Sequence, residues 1–265
     1  MEAGKAIHKF YGGQPEKILA LEMGGNNPLI FCNVQDTLAA VYLTIQSAFL
    51  TAGQRCTCAR RLIAVNGAST DKFIDQLVSA TEKIKVGPFT ERPEPFIGPA
   101  ISQQAAQGLL SAQKELQKKG GKSLVLMQPL SDNFAMLKPG IMDTTKVKNR
   151  PDNEIFGPFL QLIRVKTFDN AIKEANNTKF GLSAGLLSDD EGVYKKFFTQ
   201  SRAGIVNWNR QLTGASSQAP FGGIGQSGNH NASAYFAADY CSYPVASIES
   251  NQLKLPGQLL PGIIL

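Results

Sequence analysis

The sequence predicts an α/β protein: a mostly parallel sheet flanked by helices, followed by a C-terminal arm that serves oligomerisation. Three observations carry that expectation. Short β-type apolar runs alternate with helical stretches from residue 27 to residue 209, the pattern of parallel strands joined by crossover helices. The chain has 265 residues, 43% of them hydrophobic, enough for one or two domains with a sizeable core. The run YCSYPVASIES (240–250) is rich in β-forming residues yet stands outside the alternation, as an edge strand or a strand given to a partner would.

The elements follow in order. NPLIFCNV (27–34) reads as a buried strand. DTLAAVYLTIQSAFLTAG (36–53) reads as a helix, with Asp36 as its N-cap and Gly53 at its end. RRLIAVNG (60–67) is strand-like, and STDKFIDQLVSATEKI (69–84) is an amphipathic helix opened by a Ser/Thr/Asp cap. GPFTERPEPFIGP (87–99) is a proline-rich loop. SQQAAQGLLSAQKELQKKG (102–120) is a long helix closing on glycine, and SLVLM (123–127) and AMLKPGIM (135–142) are strands. A turn-rich stretch, KNRPDNEIFGP (148–158), leads into the strand FLQLIRV (159–165). The helices FDNAIKEANN (168–177) and DEGVYKKFFTQS (190–201) then alternate with the strands LSAGLLS (182–188) and GIVNWN (204–209). There is no internal repeat and no long linker.

Composition narrows the function classes. The net charge is +6, but the lysines are scattered, and the densest cluster, QKKGGK (117–122), is the solvated end of a helix. No nucleic-acid partner is expected. No run of about 18 apolar residues is present, so no membrane span or membrane partner is expected. MEAGKAIHKFYGG lacks the apolar run of a secretory signal, which points to the cytoplasm. There the four cysteines (32, 56, 58 and 241) would be free thiols. With no CxxC and only His8 and His230, no metal site is expected. The apolar tail LLPGIIL is expected to pack on another subunit or to stay partly disordered.

GIGQSG (223–228) matches the dinucleotide fingerprint GxGxxG. That fingerprint needs a strand just before it, a helix opening at its end and an acidic residue about 20 positions on. Here SSQAPF precedes it and Asp239 comes too early. A tight surface turn is the better reading.

Three stretches carry chemistry. In LALEMGGNNP (19–28), Glu22 stands between Leu21 and Met23, which read as buried. A half-buried carboxylate has a raised pKa and can serve as a general base near neutral pH. In AGQRCTCARR, Cys56 lies just past the glycine that ends an apolar helix. Backbone N–H groups of such a turn and nearby cations would favour a thiolate. Cys58 begins the next strand-like segment and reads as buried, and composition alone allows a buried structural role for either cysteine. In NEIFGPFLQL (153–162), Glu154 sits at the mouth of a strand beside Phe156 and a Gly-Pro turn, where it could accept hydrogen bonds from sugar hydroxyls or be an idle turn carboxylate.

LEMGG, then GQRC with Cys56 34 positions after Glu22, then EIFGP, NWN (207–209) and PFGGIGQSG (220–228), resemble the aldehyde dehydrogenase superfamily in order and spacing. Where many relatives carry SGxGRE after the PFGG turn, this chain has SGNHNAS. The resemblance covers nearly the whole chain but only about the C-terminal half of a usual member. It divides the chain into a remnant of the cofactor-binding domain (1–24), the catalytic domain (25–228), a return segment (229–239), and an oligomerisation arm with its tail (240–265).

The resemblance implies NAD-dependent oxidation of an aldehyde. Cys56 would be the nucleophile, passing through a thiohemiacetal and a thioester, and Glu22 would activate the hydrolytic water. Glu154 would bind the nicotinamide ribose, Phe156 would pack near the nicotinamide, and Gly24 and Gly25 would let it approach the backbone. The asparagine that helps hold the oxyanion lies upstream of everything present here. ALEMGGNNP and AGQRCTCARRL look most like a branch of bacterial arginine catabolism whose aldehyde substrate carries two carboxylates. Arg55, Arg210, Ser216 and Ser217 are then candidates by position for a basic substrate pocket. A homo-oligomer is implied. Two other functions stay open: a dehydrogenase for another aldehyde, and a catalytically silent module that acts only as a folded or assembly domain.

Overall fold

The computed structural model describes residues 2–130, 133–214 and 216–265. Helix α1 (Glu2–Tyr11) is followed by β1 (Asn27–Phe31), α2 (Thr37–Phe49), β2 (Ala59–Val65), α3 (Thr70–Glu82) and α4 (Gln103–Lys118). Next come β3 (Lys122–Val125), β4 (Gln128–Leu130), β5 (Asn133–Lys138), β6 (Gly140–Asp143) and β7 (Phe159–Val165). The chain continues with α5 (Phe168–Asn176), β8 (Ser183–Leu187), α6 (Glu191–Gln200) and β9 (Ile205–Trp208). Two-residue strands β10 (Pro220–Phe221) and β11 (Ser233–Ala234) and a short α7 (Ala237–Tyr240) complete the described α-helices and strands.

Among the described residues the main sheet has seven strands, in the order β3-β6-β7-β2-β1-β8-β9. Its pairs are parallel except β3 with β6 at one edge. This is the mostly parallel, helix-flanked α/β fold that the alternation predicts. Side-chain alternation along β1 feeds two cores. Leu29 and Phe31 join Leu62 and Ala64 of β2 under Phe49 of α2 and Phe73 and Leu77 of α3. Ile30 and Cys32 face the other way, with Ile63, Ile163, Ile172 of α5 and Phe197 of α6. Both faces are covered, which is why these strands read as unbroken apolar runs. A third cluster seats α4 on Met127, Leu137, Met142 and Phe159. None of the described helices is long and apolar enough to cross a membrane.

Local signals explain most element ends. Asp36 caps α2 by accepting from the Ala39 N–H at 3.0 Å, as predicted. The helix stops at Phe49, four residues short of Gly53, because Thr51, Ala52 and Gly53 take left-handed φ values of 56°, 54° and 67°. No α-helix runs through such residues. The stretch 135–142, predicted as one strand, is two. Pro139 interrupts it, having no N–H for a ladder, and Gly140 passes so close to Met127 that a Cβ would lie 2.7 Å from the Met127 Cβ. β5 therefore pairs with β4, while β6 joins the main sheet.

The structure narrows two expectations. Residues 241–265 form neither helix nor strand, and Val245, Ile248 and Leu253 lie exposed. These β-forming residues find no ladder partner within the chain, so the edge strand is not formed, which leaves the reading as a strand given to a partner. GIGQSG is indeed a turn, with Gly225 at φ 60°, and the strand before it, β10, belongs to a small two-stranded sheet. Its tip lies at the surface, with Gly225 exposed, but its base does not. Ser227 is fully buried, held between the Gly24 carbonyl, to which it donates at 2.7 Å, and the Gly181 N–H, from which it accepts at 3.0 Å.

Candidate active site

Asn27 opens β1, Cys58 stands just before β2, Pro158 just before β7, and Leu182 just before β8. These four strands are neighbours in the sheet. The segments entering them meet at its amino edge, and all three chemically suggestive stretches lie there. Open α/β sheets commonly bind ligands at the carboxyl edge instead.

Cys56 sits half-buried in the turn between the left-handed residues 51–53 and β2. Asn27, 1% exposed, clamps that turn. Its amide donates to the Cys56 carbonyl at 2.7 Å and the Cys58 carbonyl at 2.9 Å, and its Oδ1 accepts from the Ser183 N–H at 3.1 Å. One side chain thus ties the cysteine turn to β1 and β8. Gly53 packs on the next loop, where a Cβ would overlap the Gly157 carbonyl. Cys58 is fully buried, as predicted.

The thiol of Cys56 does not favour the thiolate. Burial pushes its pKa up, and the carboxylates of Glu154 and Glu22 push it further. The N–H groups of Cys56 and Thr57 pull it down, as the turn suggested, but they are outweighed. The arginines that were expected to help are committed elsewhere. Arg55 donates from Nε to the Thr51 hydroxyl at 2.9 Å, and Arg60 serves backbone carbonyls and Glu154.

Glu22 is exposed as a residue, and Leu21 and Met23 are half-buried rather than buried. Its carboxyl end nevertheless lies against the 220–233 region, where a Cβ on Gly222 would stand 3.5 Å from Glu22 Oε1. Burial raises its pKa, and hydrogen bonds from the Ser233 side chain and backbone pull the other way without cancelling the rise. The segment carrying Glu22 is braced from both sides. Asn229 accepts from the Leu21 N–H at 3.0 Å and donates to the Leu19 carbonyl at 2.6 Å, Asn231 donates to that same carbonyl, and the Met23 N–H donates to the Ser227 carbonyl. The false dinucleotide fingerprint and the SGNHNAS stretch after it are therefore the cradle of the carboxylate.

Glu154 pairs with Arg60 at 3.3 Å. Phe156, 43% exposed, lies with its ring centroid 5.1 Å from the Arg60 guanidinium carbon. Gly24 and Gly25 have a nearer reason than cofactor approach. A Cβ on Gly24 would overlap the Glu154 carboxylate, and one on Gly25 would overlap the Asn27 amide. The structure thus brings Cys56, Glu22, Glu154, Gly24 and Gly25 together. Arg210, Ser216 and Ser217 are exposed, and the Ser216 hydroxyl accepts from the Gln218 N–H at 3.2 Å. Ala215, within that loop, lies outside the described residues.

Behind the site lies a second arginine. Arg61 is buried, and burial pushes its pKa down to about 10 even though Glu174 and Asp152 oppose the fall. It donates to the Asn26, Glu174 and Ala175 carbonyls and borders a polar cavity of about 210 Å³ together with Asn26, Arg150, Asp152 and Glu174. Among the described residues no cluster of three or more His, Cys, Asp or Glu side chains could hold a metal ion.

Sequence reasoning missed Asn27, Arg60, Ser227 and Ser233. The first two had a usable signal, since NNP and ARRL place polar residues inside otherwise buried strands, where they must find partners.

The sequence model of the aldehyde dehydrogenase family matches residues 1–244. An N-succinylglutamate 5-semialdehyde dehydrogenase of Ectopseudomonas mendocina is 58% identical over 262 residues, covering 99% of this chain and 54% of that protein. The structure of the glyceraldehyde-3-phosphate dehydrogenase GapN from Methanocaldococcus jannaschii, complexed with NADP, superposes with a TM-score of 0.80 at 28% identity, over 89% of this chain and 50% of that one. Betaine aldehyde dehydrogenase from Staphylococcus aureus, in complex with NAD+, gives a TM-score of 0.77 at 28% identity, over 86% of this chain and 46% of that one. The chain spans about half the length of the curated relative it matches.

Proposed function

Because this chain belongs to the aldehyde dehydrogenase family, we propose that it supplies the catalytic half of an NAD-dependent enzyme oxidising N-succinylglutamate 5-semialdehyde to N-succinylglutamate. One observation carries the reading. Two carboxylates from separate loops, Glu22 and Glu154, both bear electrostatically on the sulfur of Cys56. The identity to the Ectopseudomonas relative supports the choice of substrate.

Cys56 Sγ attacks the aldehyde carbon, and its proton passes to a base, leaving a thiohemiacetal. NAD bound beside Glu154 and Phe156 would supply the acceptor for the hydride that leaves that carbon. The resulting thioester on Cys56 is attacked by water, whose proton goes to the Glu22 carboxylate. The acid product leaves and the Cys56 sulfur is freed. A carboxylate of raised pKa suits that base role. The residues present fit the cofactor: Glu154 offers an acceptor for ribose hydroxyls, and the exposed Phe156 ring stands on the same loop. Arg55, adjacent to Cys56 in sequence, is the first choice to meet a substrate carboxylate, with Arg210, Ser216 and Ser217 on exposed segments as further candidates.

The segment 1–24 belongs in this reading to the cofactor-binding half. Helix α1 buries none of its residues and exposes Phe10, as a helix that packs on absent protein would. The exposed Val245, Ile248 and Ile264 of the 240–265 arm suit assembly with further copies. Four free cysteines suit a reducing cytoplasm.

The test is to co-express this chain with the N-terminal portion of the Ectopseudomonas relative and to follow NADH formation with the semialdehyde and NAD. Turnover that disappears in Cys56→Ala is expected. A folded, associated pair that forms no NADH, or one that keeps its rate in Cys56→Ala, overturns the reading.

A further inference from the structure

Arg60 is an unusual residue to bury. β1 and β2 pair Asn27 with Ala59 and then Pro28 with Arg61, so Arg60 is the extra residue of a bulge. Pro28 has no N–H to offer the ladder, which breaks the register at that point. A bulge re-aims the side chain it carries. Here it sends a guanidinium that is 1% exposed toward the two loops of the site. Nη1 donates to the Gly53 carbonyl at 2.6 Å, and Nη2 donates to the Arg55 carbonyl at 2.9 Å and to Glu154 Oε1 at 3.3 Å.

Its Nε is buried without a partner. A guanidinium kept solely for stability would be better replaced by an apolar side chain than left with an unsatisfied donor. Arg61 shows the contrast: Nε, Nη1 and Nη2 all donate to backbone carbonyls on the far side of the site. Glu154 has its other oxygen against Gly24, so its carboxylate is held between the cation and the backbone beside Cys56.

We propose that Arg60 is a positioning residue that fixes the Glu154 carboxylate beside the nucleophile turn and screens the Cys56 sulfur from its negative charge. This rests on the reading of Cys56 as the nucleophile and Glu154 as the cofactor carboxylate. The charged groups around Cys56 are Glu154 from the loop before β7, Glu22 from the segment before β1, Arg55 of its own turn and Arg60 of β2. Glu154 and Glu22 raise the thiol pKa, and Arg60 is the group bonded to the first of them. Without Arg60, the Glu154 charge acts on the sulfur undiminished.

The experiment needs neither substrate nor cofactor. In a Cys241→Ser background, which removes the exposed cysteine, the rate of Cys56 alkylation by iodoacetamide is followed against pH, with the adduct mapped by mass spectrometry. Arg60→Met should raise the midpoint by about one unit, slowing the reaction roughly tenfold below it. Arg60→Met combined with Glu154→Gln should bring the midpoint back to the parent value or lower. Arg60→Lys, which keeps the charge without the planar fork, should show less than half the shift. An equal shift with and without the Glu154 carboxylate, or no shift in a folded Arg60→Met protein, overturns the proposal. If Arg60→Met does not fold, Arg60→Lys with and without Glu154→Gln reads the same coupling. Failure of the underlying reading looks different: the parent's alkylated thiol would not be Cys56.

Discussion

Replacing Asn27 by alanine should loosen the Cys56 turn and cost the protein a measurable part of its stability. The side chain is 1% exposed and makes three hydrogen bonds, to the Cys56 and Cys58 carbonyls and from the Ser183 N–H. Alanine leaves two carbonyls and one N–H without that partner, at about 1–3 kcal/mol each for fully buried groups. The carbonyls tolerate the loss better than the N–H, so the sum is about 3–5 kcal/mol. Against a net stability of about 5–15 kcal/mol the variant still folds. At about 2 °C per kcal/mol for a chain of this size, the melting temperature falls by roughly 6–10 °C. Circular dichroism melting reads the stability, and iodoacetamide alkylation of Cys56 reads the turn, which should react faster as it opens. Asn27→Asp, which sets carboxylate oxygen against the Cys56 and Cys58 carbonyls in a buried site, should melt no higher than alanine. A drop of less than about 2 °C for Asn27→Ala, with unchanged alkylation, would show that the clamp does not hold the turn.

Other substitutions test separate parts of the site. Gly53→Ala should destabilise by more than the roughly 1–2 kcal/mol of left-handed strain, because its Cβ would also overlap the Gly157 carbonyl. Its urea midpoint should fall clearly below that of the parent. Hydrolysis of an acylated Cys56 should slow as pH falls through the pKa of Glu22, which burial sets above the usual carboxylate value. Glu22→Gln should be slow and flat over that range in a stopped-flow pH series. Asp152 has a lowered pKa: burial alone would raise it, but the Lys179 N–H, the Thr178 hydroxyl and the Asn26 amide outweigh burial. Its contribution is present above the unfolded-state value of about 3.9 and is lost as pH falls through the lower folded-state value. Urea titrations of Asp152→Asn should therefore show a stability deficit of about 1–3 kcal/mol at pH 6 that closes toward the acid limit.

Much of the fold is legible because periodic burial writes itself into the chain. FLQLIRV is β7 to the residue, and the Asp36 cap starts α2 where the pattern says. What stayed hidden depends on neighbours distant in sequence. Nothing local tells that 51–53 turn left-handed, that Gly140 must clear Met127, or that 241–265 lacks a strand partner. The order of the motifs locates the site, and the electrostatics is where sequence reasoning goes astray. Arginines beside Cys56 in sequence suggest an activated thiol, yet a guanidinium acts where its bonds direct it. Here those bonds run to Thr51, to backbone carbonyls and to Glu154. The GIGQSG turn shows the same limit: it reads as a turn, but nothing local tells that its Ser227 is buried and anchors Gly24, two residues after the Glu22 carboxylate.

Everything functional here depends on Cys56 being the acceptor of the acyl group. Intact-mass and peptide-mapping spectrometry after brief exposure of the purified chain to p-nitrophenyl acetate reads that without cofactor. A single acetyl group on Cys56, absent from Cys56→Ala and long-lived in Glu22→Gln, is the expected result. Acetylation confined to Cys241 or to lysines, with Cys56 unmodified in a folded protein, would contradict it.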